Sequence, residues 1–261
     1  MGLQQLPTPT RVYLLCLAAF LGLVMGSSLN CLAWRLAHGE KWSGGRSACP
    51  ACGHTLGVGD LVPLFSWLAL RGRCRYCHAP ISVRYPLTEL LFGLCTVSLL
   101  LHFGLAWDTL VYAVLYGCLL CLSLVDLDVQ IIPDRFLLIP AVLRLVQLAV
   151  QGGLSAVLSA LWPAAVLGGA VLLLSLVLDK VLHRESMGGG DIKLLAMLGL
   201  FFSFPCCLLL VLLACLLGLL SAVLLAGKDT AFPFGPAISV AAWMTLLIGG
   251  PVVSWYLGLF V

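Results

Sequence analysis

Two acidic segments interrupt an otherwise apolar chain. "VDLDVQIIPD" (125–134) carries Asp126 and Asp128, and "GGGDIKLL" (188–195) carries Asp191. Ionisable residues at the ends of membrane-spanning helices are costly to place and are functional candidates for that reason. Two carboxyl groups that face each other near a low-dielectric boundary share one proton, so the acid and the carboxylate take different roles. Such a pair suits peptide hydrolysis, because the carboxylate activates water while the acid protonates the scissile carbonyl and the leaving amine.

The second segment has three glycines before its aspartate, and these are Gly188, Gly189 and Gly190. A residue without Cβ permits φ > 0 and lets another backbone come close, so we expect this loop to place Asp191 beside an extended peptide. We also expect Asp191 to lie at a helix N-terminus, where the helix dipole favours an ionised carboxylate.

A simpler interpretation has Asp191 as a helix cap, with Asp126 and Asp128 as solvated loop charges. Pairing between the two segments on one side of a membrane argues against it. Asp126 and Asp128 point about 200° apart on a helix, so only one of them can face Asp191. The residue pattern alone does not say which.

Four cysteines form the pairs "CPAC" and "CRYC", separated by 21 residues, and they are Cys49, Cys52, Cys74 and Cys77. Two CxxC turns at this separation predict a four-thiolate zinc site. With all four positions filled by protein ligands, the metal is structural. Two disulfides are the alternative, which a cytoplasmic location disfavours. The other eight cysteines are interpreted as small apolar packing residues.

The elements that position these residues are membrane helices. The chain has 261 residues, is 62% hydrophobic and 10% charged, and has a mean hydropathy of +1.11. This composition predicts an all-α polytopic membrane protein with about eight transmembrane helices. The apolar runs lie at 12–34, 87–106, 109–127, 136–150, 156–182, 192–203, 206–226 and 236–259. Those at 136–150 and 192–203 are short for a full crossing.

Lysine and arginine mark cytoplasmic loops. Twelve of the fourteen lie at or next to the loops 35–86, 126–135, 179–193 and 227–235, which include Arg184 and Lys228; the exceptions are Arg11 and Arg144. We therefore expect the cysteine segment and all three aspartates on the cytoplasmic side. The predicted domains are a first transmembrane helix (1–34), a cytoplasmic tetra-cysteine domain (35–86) and a transmembrane catalytic domain (87–261). A scattered net charge of +3 argues against nucleic-acid binding.

Five motifs in order resemble the prepilin peptidases, also called type IV leader peptidases, which belong with the GxGD aspartic membrane proteases. The motifs are "GSSLNCLAWRL" (26–36), the cysteine segment 46–93, "VDLDVQIIPD" (125–134), "GGGDIKLLAMLG" (188–199) and "PFGPAIS" (233–239). The resemblance covers nearly the whole chain.

This resemblance implies a bacterial inner-membrane endopeptidase that removes the basic leader of type IV prepilins and of the pseudopilins of type II secretion. It places the catalytic aspartates at Asp126 and Asp191. It also implies methylation of the new N-terminus with S-adenosylmethionine, for which Glu89 and Arg84 are plausible contributors; interfacial anchoring is an equal alternative for both. From other classes, a transporter with proton-relay aspartates and a non-catalytic zinc-containing scaffold are the competing hypotheses.

Overall fold

The computed structural model of the chain describes residues 3–41, 45–183, 187–224 and 233–259. Arg184 and Lys228 lie outside these residues. The described helices are α1 (Thr8–Ala37), α2 (Phe65–Ala69), α3 (Arg84–Phe103), α4 (Trp107–Val129), α5 (Arg135–Leu182), α6 (Gly189–Leu198), α7 (Phe204–Leu224) and α8 (Gly235–Gly258). Within the described ranges, β-structure is limited to two isolated bridges. The expected all-α membrane architecture is confirmed, with the cysteine segment between the first two long helices.

Within the described ranges, six helices are long and apolar enough to cross a membrane: α1, α3, α4, α5, α7 and α8. The expected count of eight differs for two reasons. Helix α5 has 48 residues and contains two predicted segments, 136–150 and 156–182, joined at Gly153 with φ 66° and ψ −160°. Helix α6 has only ten residues, about 15 Å of rise, and a bilayer core is about 30 Å thick. The run at 192–203, short for a crossing already in the sequence, is therefore not a full crossing.

The chain groups into two compact units, residues 1–125 and 126–261. The first unit is built on close packing of α1 against α3, because a Cβ on Gly26 of α1 would lie 3.0 Å from the Cα of Glu89. The Thr96 hydroxyl of α3 donates to the Ala18 carbonyl of α1 at 3.0 Å. Small residues of this kind let membrane helices approach closely. This contact places the Glu89 backbone next to Gly26 of α1.

The second unit packs α6 against α5 and α7 against α8. A Cβ on Gly199 would lie 2.5 Å from the Cα of Ala164, so the end of α6 touches the α5 backbone. Arg144, the charge that sequence reasoning found inside a span, reaches the turn after α6. Its guanidinium donates to the Leu200 carbonyl at 3.4 Å and lies 5.6 Å from the centre of the Phe201 ring. The domain boundaries expected from the sequence stay a prediction.

Candidate active site and metal centre

Asp126 lies in the last turn of α4 and is buried, with 5% of its surface exposed, whereas Asp128 is exposed. Helix α4 ends at Val129 and Gln130 adopts a left-handed φ of 56°, ahead of Pro133. The two aspartates thus point in different directions, as the helical spacing predicts. The structure singles out Asp126 as the buried member of the pair.

The Asp126 carboxylate lies at the N-terminus of α8. Its Oδ2 atom accepts a hydrogen bond from the backbone N–H of Gly235 at 2.9 Å. A Cβ on Gly235 would lie 2.8 Å from that oxygen, so only glycine allows the carboxylate this close. Backbone N–H groups at a helix N-terminus stabilise negative charge. The segment "PFGPAIS" entered the sequence analysis only through its resemblance to the family, so Gly235 had no predicted role. The signal in the sequence is a glycine between Phe234 and Pro236 at the start of a helix.

Asp191 is the third residue of α6 and is partly buried. Gly188 holds the N-cap position, and Asp191 Oδ1 is buried with no hydrogen-bond partner within the described part of the chain. A helix-capping role therefore does not account for this carboxyl group. Its oxygen is available to a ligand.

The pKa of Asp191, which lies outside the six candidate spans, is raised to about 6 by burial and, second, by the negative charge of Asp126. The helix dipole was expected to favour the ionised form of Asp191, and burial outweighs it. The structure thus brings together Asp126, Asp191 and Gly235 and leaves Asp128 outside.

The three glycines act differently from the expectation. None of them has φ > 0, and Gly188 at the helix start has φ −64°. A Cβ on Gly190 would lie 2.9 Å from the Cβ of Ile132, so the segment that follows Asp126 packs directly against α6. A Cβ on Gly189 would meet nothing within 4 Å. Gly190 lets the two aspartate segments of this chain approach each other, and open space remains at Gly189, where the approach of a substrate backbone stays a prediction.

Four cysteine sulfurs converge in the first unit, from Cys49, Cys52, Cys74 and Cys77. All four Sγ atoms lie within 4.8 Å of one another, and those of Cys49 and Cys77 are 3.8 Å apart. Ligands at about 2.3 Å from a tetrahedral zinc ion stand about 3.8 Å apart. The four are free thiols. The predicted cluster is present and could hold a metal ion.

Each cysteine pair sits on a tight backbone turn. The Cys49 N–H donates to the His54 carbonyl at 2.9 Å, and the Cys74 N–H donates to the Ala79 carbonyl at 2.9 Å. Backbone N–H groups, that of Cys52 first, lower the pKa of the Cys49 thiol to about 7. Thiolate is the form that binds metal, so the first turn favours the coordinating state of Cys49.

Comparison with known proteins places this pair of sites in a family. A model of the bacterial peptidase A24 N-terminal domain matches residues 20–103, and a model of the type IV leader peptidase family matches residues 113–223. A relative from Stutzerimonas stutzeri, named prepilin leader peptidase/N-methyltransferase, is 40% identical over 217 residues, which are 81% of this chain and 74% of the relative. The chain belongs to the type IV leader peptidase family.

Another type IV leader peptidase with the same name, from Pseudomonas aeruginosa, is 35% identical over 284 aligned positions, covering 98% of this chain and 97% of the relative. No solved structure matches. The resemblance drawn from the motifs is confirmed, and so is the expectation of a membrane peptidase. Family membership does not favour the transporter or the scaffold.

Proposed function

We propose that this type IV leader peptidase cleaves the basic leader from type IV prepilins and pseudopilins by a two-aspartate mechanism. The single observation that carries the proposal is the close packing of the two aspartate segments, 65 residues apart in sequence, in which Gly190 next to Asp191 lies against Ile132. The names of the two relatives described above support the substrate class. The cut falls after a glycine, just before the apolar helix of the substrate.

The two carboxyl groups take unequal roles. Asp126 carries the charge, since the Gly235 N–H and the N-terminus of α8 stabilise a carboxylate there. Asp191 holds the proton, and its unpartnered Oδ1 is free to bond to the substrate carbonyl. Asp126 takes a proton from water, the water oxygen attacks the carbonyl carbon, and Asp191 protonates the carbonyl oxygen. When the carbon–nitrogen bond breaks, the leaving amine receives the proton held on Asp126, and a hydroxyl of the tetrahedral intermediate returns its proton to Asp191, which restores both groups.

The site acts at the cytoplasmic face of the bacterial inner membrane. The clustering of lysine and arginine in the loops around the aspartates and the cysteines supports this orientation. A leader held in the cytoplasm and an apolar helix held in the bilayer would place the scissile bond at this boundary. The lipid bilayer thus holds the substrate helix in place for cleavage and also surrounds the helices of the peptidase.

The chain also methylates the new N-terminal amine with S-adenosylmethionine as methyl donor, as the name of its relatives suggests. The cysteine cluster binds a structural zinc ion, because four sulfur ligands complete a tetrahedral site and leave no position open. The zinc holds together the segment between α1 and α3, which has few apolar residues for a core of its own.

Three variants test the aspartate assignment, with prepilin cleavage measured on the purified chain in lipid. Asp126→Asn and Asp191→Asn should each lower kcat by about 100-fold or more, the range for a general acid or base. Asp128→Asn is the matched control and should stay within about threefold. Full activity in either site variant, or an equal loss in the control, contradicts the assignment. Product mass shows leader loss with and without an added methyl group.

A further inference from the structure

A cavity of about 570 Å³ lies in the first unit, between the end of α1, the cysteine segment and the start of α3. Its volume falls within the range of about 300–1,000 Å³ found for small-molecule sites. The residues that line the cavity are distant in sequence from the aspartates, and the proposed mechanism of peptide cleavage does not use them.

Glu89 of α3 lines this cavity and is 93% buried, since its exposed fraction is 7%. Its Oε2 atom accepts the backbone N–H of Leu64 at 2.8 Å. Among the described residues, no cation forms a salt bridge with it. Two more carboxylates line the cavity: Asp60 is paired with Arg75 at 2.7 Å, and Glu40 is exposed, so Glu89 is the buried one. A buried charge without a counter-ion is costly, so Glu89 points to a cationic ligand.

Aromatic side chains complete the wall. Trp34 of α1 and Trp67 of α2 both line the cavity. The Trp67 indole N–H donates to the Ile81 carbonyl at 3.2 Å, which fixes the ring, and Trp34 is held by stacking on His38 with ring centres 4.3 Å apart. Aromatic faces attract cations and stack on nucleobases. Arg46, exposed at the cavity wall, supplies a positive charge for a ligand carboxylate.

We propose that this cavity is the methyl-donor site, with the sulfonium of S-adenosylmethionine next to Glu89 and its adenine against the tryptophans. The inference rests on the proposed methyltransferase activity and assigns it a location. The donor is a cation, whereas its product S-adenosylhomocysteine is a neutral thioether. A carboxylate at the sulfonium therefore favours donor over product, and Glu89 contributes this preference.

The test compares the affinities of donor and product for the purified full chain in lipid nanodiscs, by equilibrium dialysis. Glu89→Gln keeps an oxygen that can accept the Leu64 N–H and removes only the charge. It should weaken S-adenosylmethionine binding at least about tenfold and S-adenosylhomocysteine binding less than about threefold. Asp108→Asn removes a carboxylate outside the cavity and should change neither affinity. Unchanged zinc content and prepilin cleavage show that Glu89→Gln is folded.

Wild-type affinity for the donor in Glu89→Gln overturns the inference and leaves the proposed function standing. An equal loss of affinity for donor and product overturns it too, because Glu89 would then support the shape of the cavity without distinguishing the charged donor from the neutral product. A raised KM for prepilin with unchanged donor affinity assigns Glu89 to the peptide instead and refutes the donor site. If the wild-type chain cleaves prepilin yet binds no donor, the proposed methyltransferase activity itself fails.

Discussion

Replacing Gly235 with alanine should displace the Asp126 carboxylate while the aspartate itself is kept. The added Cβ would lie 2.8 Å from Asp126 Oδ2 and 3.4 Å from its carboxyl carbon, so the carboxylate must retreat by several tenths of an ångström. The retreat lengthens the 2.9 Å hydrogen bond from the Gly235 N–H. A hydrogen bond to a charged group contributes about 1.5–3 kcal/mol, which corresponds to roughly 10- to 150-fold in rate. We therefore expect kcat for prepilin cleavage to fall by about that factor.

Gly250→Ala is the matched control, because it lies in the same helix and an added Cβ there meets nothing within 4 Å. Steady-state cleavage of a purified prepilin gives kcat and KM for both variants, and thermal unfolding in lipid reports stability. Gly235→Ala should lower kcat with KM little changed, and Gly250→Ala should behave as wild type. Wild-type kcat in Gly235→Ala would refute the argued role of the α8 N-terminus, and so would an equal loss in Gly250→Ala.

Four further results are expected. The rate of cleavage should fall as pH rises through about 6, because Asp191 must be protonated to act as the acid; a rate that rises across this range would reverse the roles. The same raised pKa makes the folded state less stable as pH rises from about 4 to about 6, and Asp191→Asn should remove this dependence in thermal unfolding. Cys49→Ser should release the bound zinc, measured by metal analysis, while cleavage persists; retained stoichiometric zinc would contradict the four-sulfur site. Arg144→Met should lower the free energy of unfolding by about 1–3 kcal/mol, since the Leu200 carbonyl loses its donor, whereas Arg135→Met at the exposed start of α5 should have little effect.

The sequence predicted the membrane class and most helices because apolar length and charge asymmetry are local signals. The sequence predicted two spans where the structure has the single helix α5 with a kink at Gly153. The two predicted segments correspond to the two sides of that kink. The sequence also extended α6 too far, because "LLAMLGLFF" is apolar whether or not it is helical. The turn at Gly199 depends on contact with Ala164, which no local pattern contains.

The candidate site shows the same division. Cys49 and its partners were predicted from spacing, since two CxxC turns carry their own geometry. Burial and the hydrogen bond from Gly235 distinguish Asp126 from Asp128, and both depend on packing that sequence spacing does not specify. Gly235 was missed because its importance arises from a carboxylate 109 residues earlier in the chain. The direction of the Asp191 pKa was misjudged, since the dipole can be read from sequence and desolvation cannot.

The short helix α6 also shows how a membrane protein can end a helix inside its own fold. With about 15 Å of rise, α6 is half as long as a bilayer core of about 30 Å is thick, and the chain turns directly after it. Non-helical backbone at membrane depth is tolerated only where protein covers it, and Leu198, Leu200 and Phe201 in this turn are all buried. The Arg144 guanidinium also donates to the Leu200 carbonyl there. Protein cover and one buried cation thus do for this half-length helix what water does for helix ends at a membrane surface.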